Sequence, residues 1–134
     1  MFNGIIQGKG ILNSDIKKYN KVEIITNLNL NNINVGSSIA CDGICLTIFN
    51  IKKIKKNFII YLNVSEETFK KTNIRYWKKN KTINLEKSLK LNQEVSGHFV
   101  YGHVDYIIRI IKIIKKKNSY DFYFDTPKNL KKYI

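Results

Sequence analysis

The chain is predicted to be all-β, a small antiparallel barrel, and three observations predict it. Asp42 and Gly43 lie between two short apolar runs, and Asp-Gly is a strong hairpin signal because a two-residue type I′ turn needs positive φ at both central positions. Short β-branched and aromatic stretches recur at roughly even spacing between polar turns, as in small barrels. The pattern Phe2-x-Gly4-Ile5-Ile6 is echoed by Val100-x-Gly102-His103-Val104, each copy followed by an Ile-rich stretch. A second copy of the first unit therefore starts near residue 100, and the chain ends where its central hairpin would begin.

In chain order, residues 1–12 combine an apolar run with Gly8 and Gly10, which suits a strand that bends or lets another group approach closely. Residues 21–30, KVEIITNLNL, alternate well enough for a second strand, and 31–34 form a polar connection to the hairpin. The second hairpin strand continues through 49–54, residues 55–57 turn, and 58–64, FIIYLNV, form another strand. Ser65 begins a short helix running toward Asn73, with Thr68 where a full capping box would have Glu or Gln. Residues 81–85 give the next strand, and 105–117 and 120–125 (YDFYFD) pair as a hairpin. Residues 106–134 would then carry two strands with unpaired edges and a sticky apolar face, favouring self-association or disorder there.

Placing a two-residue turn at Asp42 and Gly43 fixes the register of residues 35–48, VGSSIACDGICLTI. Because side chains alternate along a strand, Ile39, Cys41, Ile44, Leu46 and Ile48 share one face, a core. Ser38, Ala40, Cys45 and Thr47 share the other. These are small, weakly polar groups that can contact a flat ligand without filling the space.

At 134 residues the chain suits one well-buried domain with an appendage. Its net charge of +14 is almost wholly lysine, with only Arg75 and Arg109 as arginines. An RNA binder would favour Arg for bidentate and stacking contacts, so nucleic acid is not the expected partner. The two cysteines, on opposite faces of one hairpin, do not pair. Their spacing is poor for zinc, no metal is expected, and a reducing compartment fits. Residues 1–10 lack the charged start and long apolar run of a signal peptide, and no run reaches membrane-spanning length. The expectation is a cytoplasmic protein with no membrane partner.

Four ordered motifs, MFNGIIQ, GSSIACDGICLTI, NVSEETFKKTNI and SGHFVYGHVD, together resemble riboflavin synthase. The resemblance implies a six-stranded Greek-key barrel with a short helix over residues 1–96. Residues 97–134 would be a linker and the first two strands of an incomplete second barrel. It also implies the dismutation of two 6,7-dimethyl-8-ribityllumazine molecules into riboflavin and 5-amino-6-(D-ribitylamino)uracil. A four-carbon unit moves from one to the other without metal or organic cofactor. The family works as a homotrimer, with each site between the first barrel of one subunit and the second barrel of a neighbour; a dimer of first barrels is the alternative for this chain. Three departures stand out: Asn3 replaces the usual Thr, Ser96 replaces a common Gly, and Cys41 sits where other small or polar residues occur.

Carried over by motif, Phe2, Gly4, Ile5 and Ile6 contact substrate, as do Cys45, Leu46 and Thr47 in the hairpin. Asn63, Val64, Ser65, Glu66, Glu67 and Thr68 lie beside the ring, and Gly102, His103 and Val104 complete the set. His103, Cys45 and Ser38 are the catalytic candidates. A proton must leave the acidic methyl on ring carbon 7 of one lumazine, and imidazole titrates near neutral pH. Cys45 adds to the ring or orients it, and a thiol needs a lowered pKa to be a good nucleophile. His98 is expected to be structural. A competing expectation is a barrel that binds lumazine or flavin without turnover.

Overall fold

The computed structural model describes residues 1–16, 21–91 and 95–133. Six strands close a barrel: β1 (Gly8–Leu12), β2 (Val22–Thr26), β3 (Ser38–Cys41), β4 (Ile44–Ile54), β5 (Asn57–Asn63) and β6 (Thr82–Lys87). The order around it is β1-β2-β5-β4-β3-β6, every pairing antiparallel. Strands β3, β4 and β5 are joined by hairpins and β2 lies beside β5, which is a Greek key. The expected six-stranded barrel is what forms. Strand β2 is shorter than the 21–30 alternation suggests. Thr26 Oγ1 donates to the Lys9 carbonyl and accepts the Leu28 N–H, which turns the chain out of the ladder.

Alternation decides what each strand buries. Strand β2 buries Val22, Ile24 and Thr26, and β5 buries Phe58, Ile60 and Leu62. The barrel interior is filled by these with Leu12, Ile39, Cys41, Leu46, Ile48, Ile83 and Leu85, and Trp77 is buried with them. Gly10 shows the close approach expected of it, for a Cβ there would lie 2.3 Å from Ile24 Cγ2. At the central turn Asp42 has φ 47° and Gly43 φ 82°, the two positive values a type I′ turn requires. The register is the expected one, Ser38 opposite Thr47, Ile39 opposite Leu46, Ala40 opposite Cys45 and Cys41 opposite Ile44. Asp42 also accepts the Asn84 N–H and the Lys81 ammonium, so the turn is pinned to β6.

Helix α1 (Glu66–Lys71) begins at Ser65, whose Oγ accepts the Thr68 N–H at 3.0 Å. It runs into a 3₁₀ turn, Asn73–Tyr76. Strands β7 (Arg109–Lys115) and β8 (Tyr120–Asp125) form a separate two-stranded sheet, shorter at its start than the 105–117 stretch implied. A 3₁₀ helix, Lys128–Tyr133, follows Pro127 and was not anticipated.

Candidate functional site

The cleft is built where β4 outruns its neighbour. Strand β5 ends at Asn63, opposite Thr47, so the Cys45 N–H has no strand to donate to on that side. It donates instead to the Gly102 carbonyl at 2.9 Å. Residues 98–104 thus lie across the open end of the ladder, and Val104 packs against the core. Only glycine fits at 102. Its φ is +72°, and a Cβ would lie 3.0 Å from Cys45 Cβ, Cys45 N and the Gly43 carbonyl. The approach is that close.

Between this strap and helix α1 lies a cleft of about 370 Å³, at the small end of the roughly 300–1,000 Å³ usual for small-molecule sites. Cys45, Thr68, Thr72, Gly102, His103 and Val104 line it, with Glu67, Lys71 and Asp105 at its charged side. Glu67 and Lys71 pair at 2.7 Å. The hydrogen bond and charge of Lys71 hold the Glu67 carboxyl below its usual range, and Glu67, with help from Asp105, pushes Lys71 up. His103 is solvent-exposed and stands beside Tyr101, ring centroids 6.5 Å apart. The cleft offers an imidazole, a half-buried thiol, the Thr68 hydroxyl and an ion pair to one small ligand, while Thr72 is buried and spends its hydroxyl on the Thr68 carbonyl and the Ile74 N–H. Among the described residues no three His, Cys, Asp or Glu side chains gather as metal ligands.

Several expected residues meet here: Cys45, Glu67, Thr68, Gly102, His103 and Val104. Ser38, Thr47 and Asn63 continue the same outer face, side by side across β3, β4 and β5, next to the cleft and outside its wall. Three expectations need correction at the level of the side chain. Phe2, Leu46 and Val64 are buried at 1%, 2% and 7% exposure, so they offer a ligand at most their backbone. Ala40 is buried too, between Glu86 and Cys45, its partners in the neighbouring strands. Ser65 is used as a cap and Glu66 pairs with Lys70; neither lines the cleft.

Gly4, Ile5 and Ile6 are exposed and not part of the cleft. The reason is long-range. The two echoing motifs pair with each other, Phe2 and Val100 exchanging backbone hydrogen bonds of 2.7 and 2.9 Å in antiparallel sense. Gly4 and Gly102 adopt matching positive φ, 77° and 72°, but the two segments leave their junction in opposite directions. Gly102 goes to Cys45, whereas Gly4 goes to Glu86.

The lumazine binding domain model matches residues 3–88, which are the barrel strands, helix α1 and the segment leading into β1. The chain belongs to the lumazine-binding domain family. Over its whole length it is 40% identical to the riboflavin synthase of Chlamydia muridarum, 34% to that of Brucella abortus and 31% to that of Photobacterium phosphoreum. It spans 64%, 68% and 61% of those relatives' lengths. Crystal structures of LumP complexed with riboflavin and with 6,7-dimethyl-8-(1'-D-ribityl) lumazine share the fold, with TM-scores of 0.74 and 0.72 at 20% identity. Each covers all of this chain, which spans 72% and 71% of theirs. No helix among the described residues is long and apolar enough to cross a membrane.

Lys71, Thr72, Asp105 and Ile44, the last expected only as core, were missed as site residues. Lys71 and the cap residue Thr72 each follow an expected residue, Glu67 and Thr68, by four positions, so the helical period placed them beside the two expected ones.

Proposed function

We propose that the chain carries the first-barrel site of a riboflavin synthase. It would bind 6,7-dimethyl-8-ribityllumazine in the cleft between α1 and the strap, as one of the two molecules consumed in the dismutation. The observation that carries this reading is Cys45 and His103 facing one cleft, with Ser38 and Thr47 beside it on the same outer face of the hairpin. The flat ring lies over the small outer face of the hairpin. Thr68 offers a hydroxyl to the ring edge or the ribityl chain, and His103, open to water, exchanges the methyl proton. Cys45 orients the ring or adds to it. Residues 1–96 form the binding domain, and β7–β8 begin the second. The productive assembly is a homo-oligomer that supplies the facing half-site, in the cytoplasm.

A second reading, lumazine binding without turnover, is favoured by one feature. The fold is shared with LumP, whose structures hold riboflavin and 6,7-dimethyl-8-(1'-D-ribityl) lumazine. Incubating the purified chain with the lumazine separates the two. Riboflavin appearing at one per two lumazines consumed supports the enzyme, and fluorescence quenching without product supports the module. Neither binding nor product would overturn both.

A further inference from the structure

Glu86 sits on the outward face of β6, between the core residue Leu85 and Lys87, where a barrel side chain is ordinarily wet. It is only 5% exposed. What covers it is the N-terminal segment. The Asn3 and Gly4 N–H groups donate to the same carboxylate oxygen, Oε1, at 2.6 and 3.1 Å. Gly4, at φ +77°, aims two successive amides at one anion, a backbone nest. A buried carboxylate is costly unless hydrogen-bonded, and these are the stronger, charge-assisted kind.

From that anchor a short relay of backbone contacts leads to the cleft. Phe2, next to Asn3, exchanges both its hydrogen bonds with Val100, and the His98 N–H donates to the Asn3 carbonyl at 3.3 Å. Gly97 lies so close that a Cβ there would be 2.4 Å from the Asn3 carbonyl oxygen. Two residues beyond Val100, Gly102 accepts the Cys45 N–H. The strap is thus held at one end by Cys45 and Val104 and at the other by the N-terminal segment.

We propose that Glu86 is a positioning residue for the cleft. Its carboxylate fixes residues 3–4, these fix residues 98–100, and the strap that carries His103 is thereby kept against Cys45. The link to ligand binding rests on the function proposed above, while the anchor itself does not.

Amide hydrogen exchange on the full chain tests the anchor without any ligand. In Glu86→Ala, protection at Val100 and Cys45 falls on the order of 10-fold or more, while Ile24 and Ile60 in the barrel keep theirs. Glu86→Gln retains a carbonyl acceptor in the same place and loses less. With 6,7-dimethyl-8-ribityllumazine as probe, the dissociation constant rises by a similar factor in Glu86→Ala and is largely rescued in Glu86→Gln. Unchanged protection at Val100 and Cys45 in Glu86→Ala overturns the proposal. So does an equal loss throughout β2 and β5, which would make Glu86 a support of the barrel itself. If the unmodified chain fails to bind the lumazine, the proposed function falls and the exchange result still decides the anchor.

Discussion

The barrel and the β7–β8 hairpin are written in nearly the same alphabet, yet one is buried and the other is not. In β5, NFIIYLN, every second residue disappears into the core. In β8, YDFYFD, the alternation is as clean, but Tyr120, Phe122 and Phe124 remain 55%, 50% and 44% exposed. Strand β7 buries none of its residues. Alternation therefore names the face a strand can bury, and partner strands decide whether it does. Each barrel strand has two neighbours; among the described residues β7 and β8 have only each other, tied by exposed pairs Arg109–Asp125 and Lys116–Asp121. Exposed pairs of that kind contribute little.

The contrast should be largest in hydrogen exchange. Amides in β2 and β5 open only with the barrel and should exchange at least about a thousandfold more slowly than those of β7 and β8, since an isolated two-stranded hairpin is marginal in water. Protection of β7 and β8 that grows with protein concentration would show the tail finding its missing neighbours in other copies. Equal protection in dilute monomer would erase the distinction between the regions.

Side-chain truncation sharpens the same contrast energetically. Leu46→Ala removes a side chain 2% exposed within the barrel core, and the barrel should lose about 2–5 kcal/mol. Ile113→Ala, at a residue 54% exposed, should stay within about 0.5 kcal/mol. Ser38→Ala and Cys45→Ala belong with the second group in stability and separate from it only in lumazine binding, which they weaken. Denaturant unfolding of the four variants, with a lumazine titration of Ser38→Ala and Cys45→Ala, checks this. Comparable losses in all of them would mean that the two faces of the β3–β4 hairpin are not distinct.

Gly102→Ala acts at the point where strap and barrel meet. The methyl must enter space held by Cys45 and the Gly43 carbonyl, at a φ that alanine resists. The strap should lift, lumazine affinity should fall on the order of 10-fold or more, and barrel unfolding should barely change. A ligand-binding variant with the strap still protected would show that the cleft does not need this contact.

Much of this was legible because it is local. The positive φ at Asp42 and Gly43, the register they impose and the Ser65 cap each depend on a few neighbouring residues. What was hidden is non-local. Nothing in MFNGII tells which cleft it faces, because that depends on Phe2 meeting Val100 across nearly the whole barrel sequence. Glu86 looks like any polar residue on the outer face of a strand, and only the segment folded over it shows otherwise. Lys71 and Thr72 were within reach of helical periodicity and lie inside the NVSEETFKKTNI motif; the residues carried over from it ended at Thr68.

The two cysteines repeat the inside–outside comparison within one hairpin. Burial first, then the neighbouring Asp42 charge and Cys45, pushes the Cys41 thiol far above its usual range, and it is sealed in the core. Cys45 is half-buried at the cleft. Iodoacetamide at neutral pH should label Cys45 alone, and bound lumazine should slow that labelling; peptide mass spectrometry assigns the site. Labelling of Cys41 in the folded chain would place it outside the core.

The smallest effect is expected at the cleft rim. Glu67 titrates below its ordinary value because Lys71 hydrogen-bonds it, so its contribution to folding is present above the unfolded carboxyl value and is lost as pH falls through the folded one. Both side chains reach solvent, Glu67 72% and Lys71 42% exposed, and salt screens the pair, so the barrel's stability should not track this titration. An NMR titration of the Glu67 carboxyl should show the depressed value, and Lys71→Met or high salt should return it toward normal with the melting curve unmoved. A melting temperature that follows the Glu67 titration would mean that the rim of the cleft, not only its floor, belongs to the cooperative barrel.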